Sequence, residues 1–299
     1  VSEELNVRYV LEGSIRKAGN RVRINAQLLE GATGNHIWAE KYDRELEDIF
    51  EVQDEITSTV VLAIRPELEK VELKRAQSKT PETMDAWDYY QRGIWSFYTF
   101  DQASMEEAYK WFSLSEKADS SFVDSTAMLT ALEATCNFLF NENYDLVKRY
   151  GQIQSLSVHN PNNDLVLNAQ GVVLNYGMKE NAKGLEAFKS AIEINPTNMS
   201  AQRYYIQCLI YLGRAEEAID YFEEIKAISP KDPEMHRMEP RLAEAYLCLG
   251  DFEESKLWGE KSISGILKSW PSYTVLISAL GHLNELEEID TIMEKMRLK

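Results

Sequence analysis

Two stretches decide the fold of this chain: GLEAFKSAIEINP at residues 184–196 and AIDYFEEIKAISP at residues 218–230. Each begins with a small residue, places a phenylalanine four positions later (Phe188, Phe222) and ends with proline. The second stretch follows the first by 34 residues. A small residue lets two helices cross closely, and a proline ends a helix. Because one such helix pair cannot bury its own apolar face, the repeat predicts a stack of helix pairs.

A period of 34 residues and this order of residue types resemble the tetratricopeptide repeat, or TPR. The resemblance implies a mainly α-helical protein, a TPR-type α-α solenoid, over residues 81–299. We predict six helix pairs: pairs one and two cover about 84–120 and 122–161, pairs three and four end at Pro196 and Pro230, pair five contains Leu249-Gly250, and pair six covers 272–298. Pair two departs from the pattern because Arg149 takes the position of the small residue. The connection before pair five, 231–240, is longer than the others.

The N-terminal region has a different periodicity. Apolar residues alternate with polar ones over 8–15, 21–29 and 36–42, and this predicts three antiparallel strands joined by Gly-rich turns. From Leu46 the spacing becomes helical, which predicts a helix that covers the sheet. We expect Pro66 to end this helix and to begin a second one that links to the repeats. The predicted boundary between the two domains is 78–82.

Six segments carry a second resemblance: VRYVLEGS (7–14), RVRINAQ (21–27), ATG (32–34), IWAEKYD (37–43), DIF (48–50) and QDEI (53–56). Together they look like the TolB amino-terminal-like domain, over about residues 3–64. The resemblance implies that residues 1–80 form a small α+β domain. Such domains usually have another strand and helix at their start, so we expect a partial domain with a linker helix.

Charge and composition limit the partners. Residues 1–80 hold 12 basic and 15 acidic residues, and residues 81–299 hold 20 and 34. The acidic repeats repel phosphate backbones and anionic lipid, so nucleic acid or membrane binding through them is disfavoured. No apolar run predicts a transmembrane helix. The odd number of cysteines (Cys136, Cys208, Cys248) argues against a disulfide scaffold, and their apolar neighbours predict buried thiols.

The sequence contains no pattern typical of catalysis or of a cofactor. The four histidines have no partner at the spacing of zinc ligands. No Gly-rich phosphate loop, nucleophile elbow or calcium loop occurs. We therefore predict no catalytic residue, no metal site and no cofactor in this chain.

A binding face is predicted on the repeats. In a TPR-type solenoid the first helix of each pair lines the concave surface, and six side chains of pairs three and four point there: Asn168, Asn175, Tyr176, Arg203, Gln207 and Tyr211. Aromatic, amide and cationic groups suit an extended peptide, so we predict a peptide-binding groove. They do not reproduce the Lys/Asn carboxylate clamp of chaperone-binding repeats. That they are ordinary surface residues remains an open alternative.

The two resemblances together imply a non-catalytic sensory and protein-interaction region of a bacterial signalling protein. TolB-like segments joined to TPR repeats are found in class III adenylate or guanylate cyclases and in winged-helix transcriptional activators, so either output domain is open. A scaffold or homodimerisation role, and an enzyme active at the domain junction, are further alternatives. The resemblance leaves the compartment open between cytoplasm and periplasm, and free thiols favour the cytoplasm.

Overall fold

In the computed structural model the described residues are 2–5, 7–45, 49–79, 84–99, 101–228, 235–264 and 270–297. The chain divides into two compact units, unit 1 (Val1–Thr80) and unit 2 (Pro81–Lys299). The predicted fold class is confirmed: the chain combines a mainly helical TPR-type repeat array with a small N-terminal three-stranded antiparallel sheet.

Unit 1 is a sheet with one long helix packed on it. Its elements are α1 (Ser2–Leu5), β1 (Tyr9–Ala18), β2 (Arg21–Glu30), β3 (His36–Glu45) and α2 (Ile49–Ser78). The strands are antiparallel in the order β1-β2-β3. Ala26 and Leu28 lie on one face of β2 because alternate residues point the same way. With Tyr42 of β3 they pack against Ile56, Val60 and Ile64 of α2.

The prediction that Pro66 ends the first helix is wrong, because α2 runs through it. Ile64 before the proline and Leu68 after it contact the same apolar core. Further along α2, the buried carboxylate of Glu72 accepts a hydrogen bond from the Tyr9 hydroxyl at 2.5 Å. A proline inside a helix costs about 3 kcal/mol. Contacts with one sheet on both sides of Pro66 offset this cost.

Unit 2 contains six helix pairs over its described residues. Their bounds are α3 (Ala86–Thr99) with α4 (Gln102–Ala118), α5 (Val123–Phe140) with α6 (Leu146–His159), α7 (Asp164–Val172) with α8 (Asn181–Ile194), α9 (Met199–Tyr211) with α10 (Ala215–Ile228), α11 (Glu239–Leu249) with α12 (Phe252–Ser264), and α13 (Trp270–His282) with α14 (Leu286–Arg297). A π-helical turn (Val173–Gly177) extends α7, and a 3-10 turn (Met235–Arg237) precedes α11. Several predicted features lie outside the described residues: the helix start at Leu46, residues 80–82 of the boundary 78–82, Pro230 at the end of pair four, residues 231–234 of the connection 231–240, and residue 298 at the end of pair six.

The helices of a pair cross at small residues. Ala218 is completely buried, and so is Phe188. A Cβ atom added to Gly171 of α7 would lie 2.5 Å from the Phe188 ring, and one added to Gly93 of α3 would lie 2.5 Å from the Phe112 ring. Only glycine fits at this distance. Gly171 therefore sets how closely the helices of pair three pack, and Gly93 does the same in pair one.

Pair two has an ion pair at the position where pairs three and four have the small residues Gly184 and Ala218. The Arg149 guanidinium donates to both carboxylate oxygens of Glu133, with Nε to Oε2 at 2.7 Å and Nη2 to Oε1 at 2.8 Å. Its Nη1 also lies 3.4 Å from Oε1 of Glu116. The side chains of Arg149 and Glu133 are 14% and 5% exposed. This buried network connects α4, α5 and α6.

The cysteines differ from one another in burial. Cys136 and Cys208 are buried, and burial raises the pKa of each thiol to about 12. The prediction of burial is wrong for Cys248, which is exposed. It lies in the last turn of α11, next to the exposed Leu249 and Gly250 where the chain turns toward α12.

Candidate functional site

The six predicted groove residues lie on α7, its π-helical extension and α9, the first helices of pairs three and four. Four of them are buried (Asn168, Asn175, Tyr176 and Gln207), Arg203 is half-buried and Tyr211 is 39% exposed. Burial of these four differs from the expectation that all six side chains face an accessible groove, because neighbouring helices cover them, and it differs equally from the alternative that all six are ordinary surface residues. Their role in peptide binding stays a prediction.

The three buried amides each use their nitrogen atom within the array. Asn168 Nδ2 donates to Ser200 Oγ at 3.3 Å and Asn175 Nδ2 donates to Cys208 Sγ at 3.2 Å, so they connect α7 and its π-helical extension to α9. Gln207 Nε2 donates to the Tyr211 hydroxyl at 2.9 Å. Among the described residues, none of the three amide oxygens has a hydrogen-bond partner. A buried acceptor without a donor is costly, and a ligand N–H would satisfy it.

The side chain of Tyr176 lies at the centre of an aromatic cluster. Its ring is stacked on that of Phe138, with centroids 4.2 Å apart, and meets the edge of Tyr204 at 5.5 Å. Burial is the main reason that the pKa of Tyr176 is raised. Tyr176 lies in the π-helical turn, a conformation that is frequent at functional sites. No pattern in the sequence indicated this turn.

Two arginines lie close to this cluster. The Arg203 guanidinium carbon is 4.2 Å from the centre of the Tyr204 ring. Arg241 of α11 is buried, donates to the Glu244 carboxylate and interacts electrostatically with Tyr176 and Tyr211. Arg241 was not predicted from the sequence, because the long connection before α11 obscured the phase of pair five. The charge of Arg241 is thus balanced by Glu244 beside the aromatic cluster.

Some contacts join pairs that are not neighbours in the stack. Phe138 of α5 lies 6.3 Å from Trp270 of α13, measured between ring centroids, so pair two meets pair six. Arg237, just before α11, reaches Tyr98 of α3, so the beginning of pair five meets pair one. Sequence periodicity gives no signal for either contact.

Unit 1 has a separate depression, of about 470 Å³, on the sheet face opposite α2. Its polar side chains bond to one another across strands: Gln27 donates to Glu12 at 2.9 Å and Asn25 donates to Ser14 at 3.0 Å. Such pairs are typical of a solvated sheet face. We do not regard it as a binding site.

Neither a metal site nor a membrane span is found in the part of the chain that the structure describes. Within the described ranges, no group of three or more histidine, cysteine or acidic side chains could hold a metal ion. None of the helices in those ranges combines the length and the apolar character needed to cross a membrane.

Two families of repeat proteins match parts of the array. The tetratricopeptide repeat family matches residues 176–239, and the PPR repeat family matches residues 271–299. Among solved structures, a thermophilic TPR protein of Thermus thermophilus has a TM-score of 0.51 and is 14% identical, over 65% of this chain and 98% of that one. This likeness shows the fold alone, which is that of a TPR-type repeat array.

A longer relative shares part of the chain. Over 135 residues the chain is 44% identical to "Putative adenylate cyclase 3" of Rhizobium meliloti (strain 1021). The match covers 45% of this chain and 23% of that protein. The matched segment therefore spans less than a quarter of the relative's length.

Proposed function

We propose that this chain is the sensory and protein-interaction region of a bacterial signalling protein, the C-terminal regulatory part of a class III adenylate or guanylate cyclase. The observation that carries the proposal is the 44% identity over 135 residues to a protein named as an adenylate cyclase. Unit 2 is a TPR-type array, and repeat arrays of this kind use extended concave surfaces to bind peptides or proteins. The chain itself contributes recognition, and the cyclase reaction belongs to another part of the protein.

Unit 1 is, in this proposal, a partial TolB amino-terminal-like domain. Support comes from the three antiparallel strands, which contain the segments 21–27 and 37–43 of the resemblance and residues 9–14 of the segment 7–14. The helix that follows packs on these strands, as the apolar spacing after Leu46 predicted. Unit 1 would then pass the state of the repeats to the cyclase domain.

The ligand in this proposal is a peptide or protein segment on the concave face of pairs three and four. The unpaired oxygens of Asn168, Asn175 and Gln207 would accept backbone N–H groups, and Tyr211 and Arg203 would provide the accessible contacts. Because three of these side chains are buried, binding requires neighbouring first helices to move apart. A ligand with unequal affinity for the closed and opened arrays shifts their populations, and this shift is the signal.

The test of the cyclase assignment uses the full-length protein. Cyclic AMP and cyclic GMP are measured for the purified protein and for a variant that lacks residues 81–299. We expect nucleotide cyclisation by the full-length protein, with a changed rate in the deletion variant. Absence of cyclisation, together with sequence-specific DNA binding, would contradict the proposal and favour the winged-helix activator.

The test of the binding face is a pull-down from bacterial lysate and periplasmic extract with the full-length protein. The variant Arg203→Glu with Tyr211→Ala should lose the captured partner. The matched control is Arg214→Ala, because Arg214 is exposed and pairs with the nearby Glu217. If both variants capture the same proteins as the unmodified chain, the ligand binds elsewhere.

A further inference from the structure

The contact between Arg237 and Tyr98 is unusual for a repeat array, in which each repeat normally contacts only its neighbours. Nη2 of Arg237 donates a hydrogen bond of 2.7 Å to the main-chain carbonyl of Tyr98. The guanidinium carbon lies 4.9 Å from the centre of the Tyr98 ring. These residues are 139 positions apart, and three helix pairs separate pair one from pair five.

The end of α3 is suited to a cation. Tyr98 lies in the last turn of α3, where carbonyl groups lack partners inside the helix and the helix dipole is negative. The last turn of α3 contains no basic residue of its own. The Tyr98 ring offers its π face beside this carbonyl, and an edge contact with Phe97 at 5.8 Å fixes the ring. A carbonyl and an aromatic face at one place fit the planar guanidinium of arginine.

The residues next to Arg237 connect the contact to the core. Met238 is completely buried in the main apolar cluster of unit 2, and Met235 packs against that cluster. These two methionines hold the main chain beside Arg237 in place, so the Arg237 side chain links the start of pair five to the end of α3. The contact between Phe138 and Trp270 joins pairs two and six in a similar way.

We propose that the end of α3 and the Tyr98 ring form a recognition site for an arginine side chain, which Arg237 fills in the closed array. A partner segment that carries an arginine displaces Arg237 and separates pair five from pair one. Charge supports this kind of partner, because residues 81–299 hold 34 acidic residues against 20 basic ones and attract a basic peptide. This inference rests on the proposed function, since it names the chemistry of the protein partner.

The first measurement requires no ligand. Spin labels on the exposed native Cys248 of pair five and on a cysteine introduced at the exposed Lys117 of pair one report the distance between these pairs in the full chain. We expect Arg237→Ala to lengthen and broaden this distance distribution. Tyr98→Leu keeps the main-chain carbonyl and apolar bulk but removes the aromatic face, so it should change the distance in the same direction by a smaller amount. Arg214→Ala is the control and should leave the distance unchanged. An unchanged distance distribution in both site variants would overturn the proposal that Arg237 and Tyr98 hold pair five against pair one.

The second measurement tests recognition with a defined probe, the acetylated and amidated peptide MHRMEP, which repeats residues 235–240. By calorimetry we expect it to bind the Arg237→Ala protein about tenfold more tightly than the unmodified protein, because the site is vacated. Tyr98→Leu, and a peptide with alanine in place of arginine, should remove the binding. Equal affinity for the Arg237→Ala and unmodified proteins would overturn the arginine site. Cyclisation by the full-length protein would be unaffected by that result, so the two proposals fail separately.

Discussion

Pairs two and three of the array have the same architecture and are held together by different interactions. In pair three the glycine at position 171 lets the Phe188 ring approach so closely that no Cβ atom would fit. In pair two the half-buried Arg149 donates to both carboxylate oxygens of the buried Glu133. A helix crossing can thus be fixed by close packing or by a buried ion pair, provided that each buried charge has its partner.

The largest expected effect is the introduction of a charge into a packed crossing. Ala218 of pair four is completely buried, so Ala218→Asp places an unpaired carboxylate among apolar atoms. We expect a loss of at least about 3 kcal/mol in the free energy of unfolding, measured by urea titration. The control is Glu217→Lys, one residue away on the exposed surface, which should change the unfolding curve little. Equal curves for the two variants would mean that the repeat phase is wrong.

The second prediction breaks the ion pair of pair two. Arg149→Met leaves the Glu133 carboxylate buried without its cation, and we expect a loss of about 3 kcal/mol in the free energy of unfolding. The double variant Arg149→Met with Glu133→Leu removes both charges and should recover most of this loss. A double-mutant cycle by chemical denaturation measures the coupling. If the double variant is no more stable than Arg149→Met alone, the ion pair is not what fixes this crossing.

Local periodicity explains which parts of the fold could be predicted. The strands expected at 8–15, 21–29 and 36–42 are found at Tyr9–Ala18, Arg21–Glu30 and His36–Glu45, because alternation along a strand is a local signal. The 34-residue repeat likewise gave the helical array. The continuous α2 was missed because the rule that proline ends a helix ignores tertiary contacts that hold both halves.

The candidate site could be predicted only in part. The helix phase placed Tyr176 and Gln207 on first helices, but it could not show that neighbouring helices bury both. Arg241 and the contact of Arg237 with Tyr98 depend on residues far apart in sequence, and a single sequence holds no signal for such pairs. The π-helical turn at Val173–Gly177 was not indicated either.

The third prediction tests the packed crossing with a smaller change. In Gly171→Ala the new Cβ would lie 2.5 Å from the buried Phe188 ring, and we expect a loss of about 1 to 3 kcal/mol as the ring is displaced. The matched control is Gly151→Ala in α6, where nothing lies within 4 Å of the added atom. Because alanine favours a helix over glycine, this control should gain about 0.5 to 1 kcal/mol. Thermal unfolding of both variants gives the comparison, and effects of the same sign would contradict the close approach.

The smallest effect concerns an ion pair at the surface, in contrast to the buried one of pair two. Lys256 of α12 donates to Glu288 of α14 at 2.9 Å and also contacts Glu285, so it connects pairs five and six. This hydrogen bond is the main reason that the pKa of Glu288 is lowered from its usual 4.5. A carboxyl group with a lowered pKa in the folded state adds stability at higher pH, and this contribution is lost as the pH falls through that pKa.

Lys256→Gln should therefore lower the melting temperature slightly, and by a constant amount, between about pH 6 and 9. As the pH falls from 4.5 through the lowered pKa of Glu288, the two melting curves should converge, because a protonated carboxyl group gains little from lysine over glutamine. A difference that persists unchanged at low pH would show that Lys256 acts by packing its aliphatic chain rather than by charge.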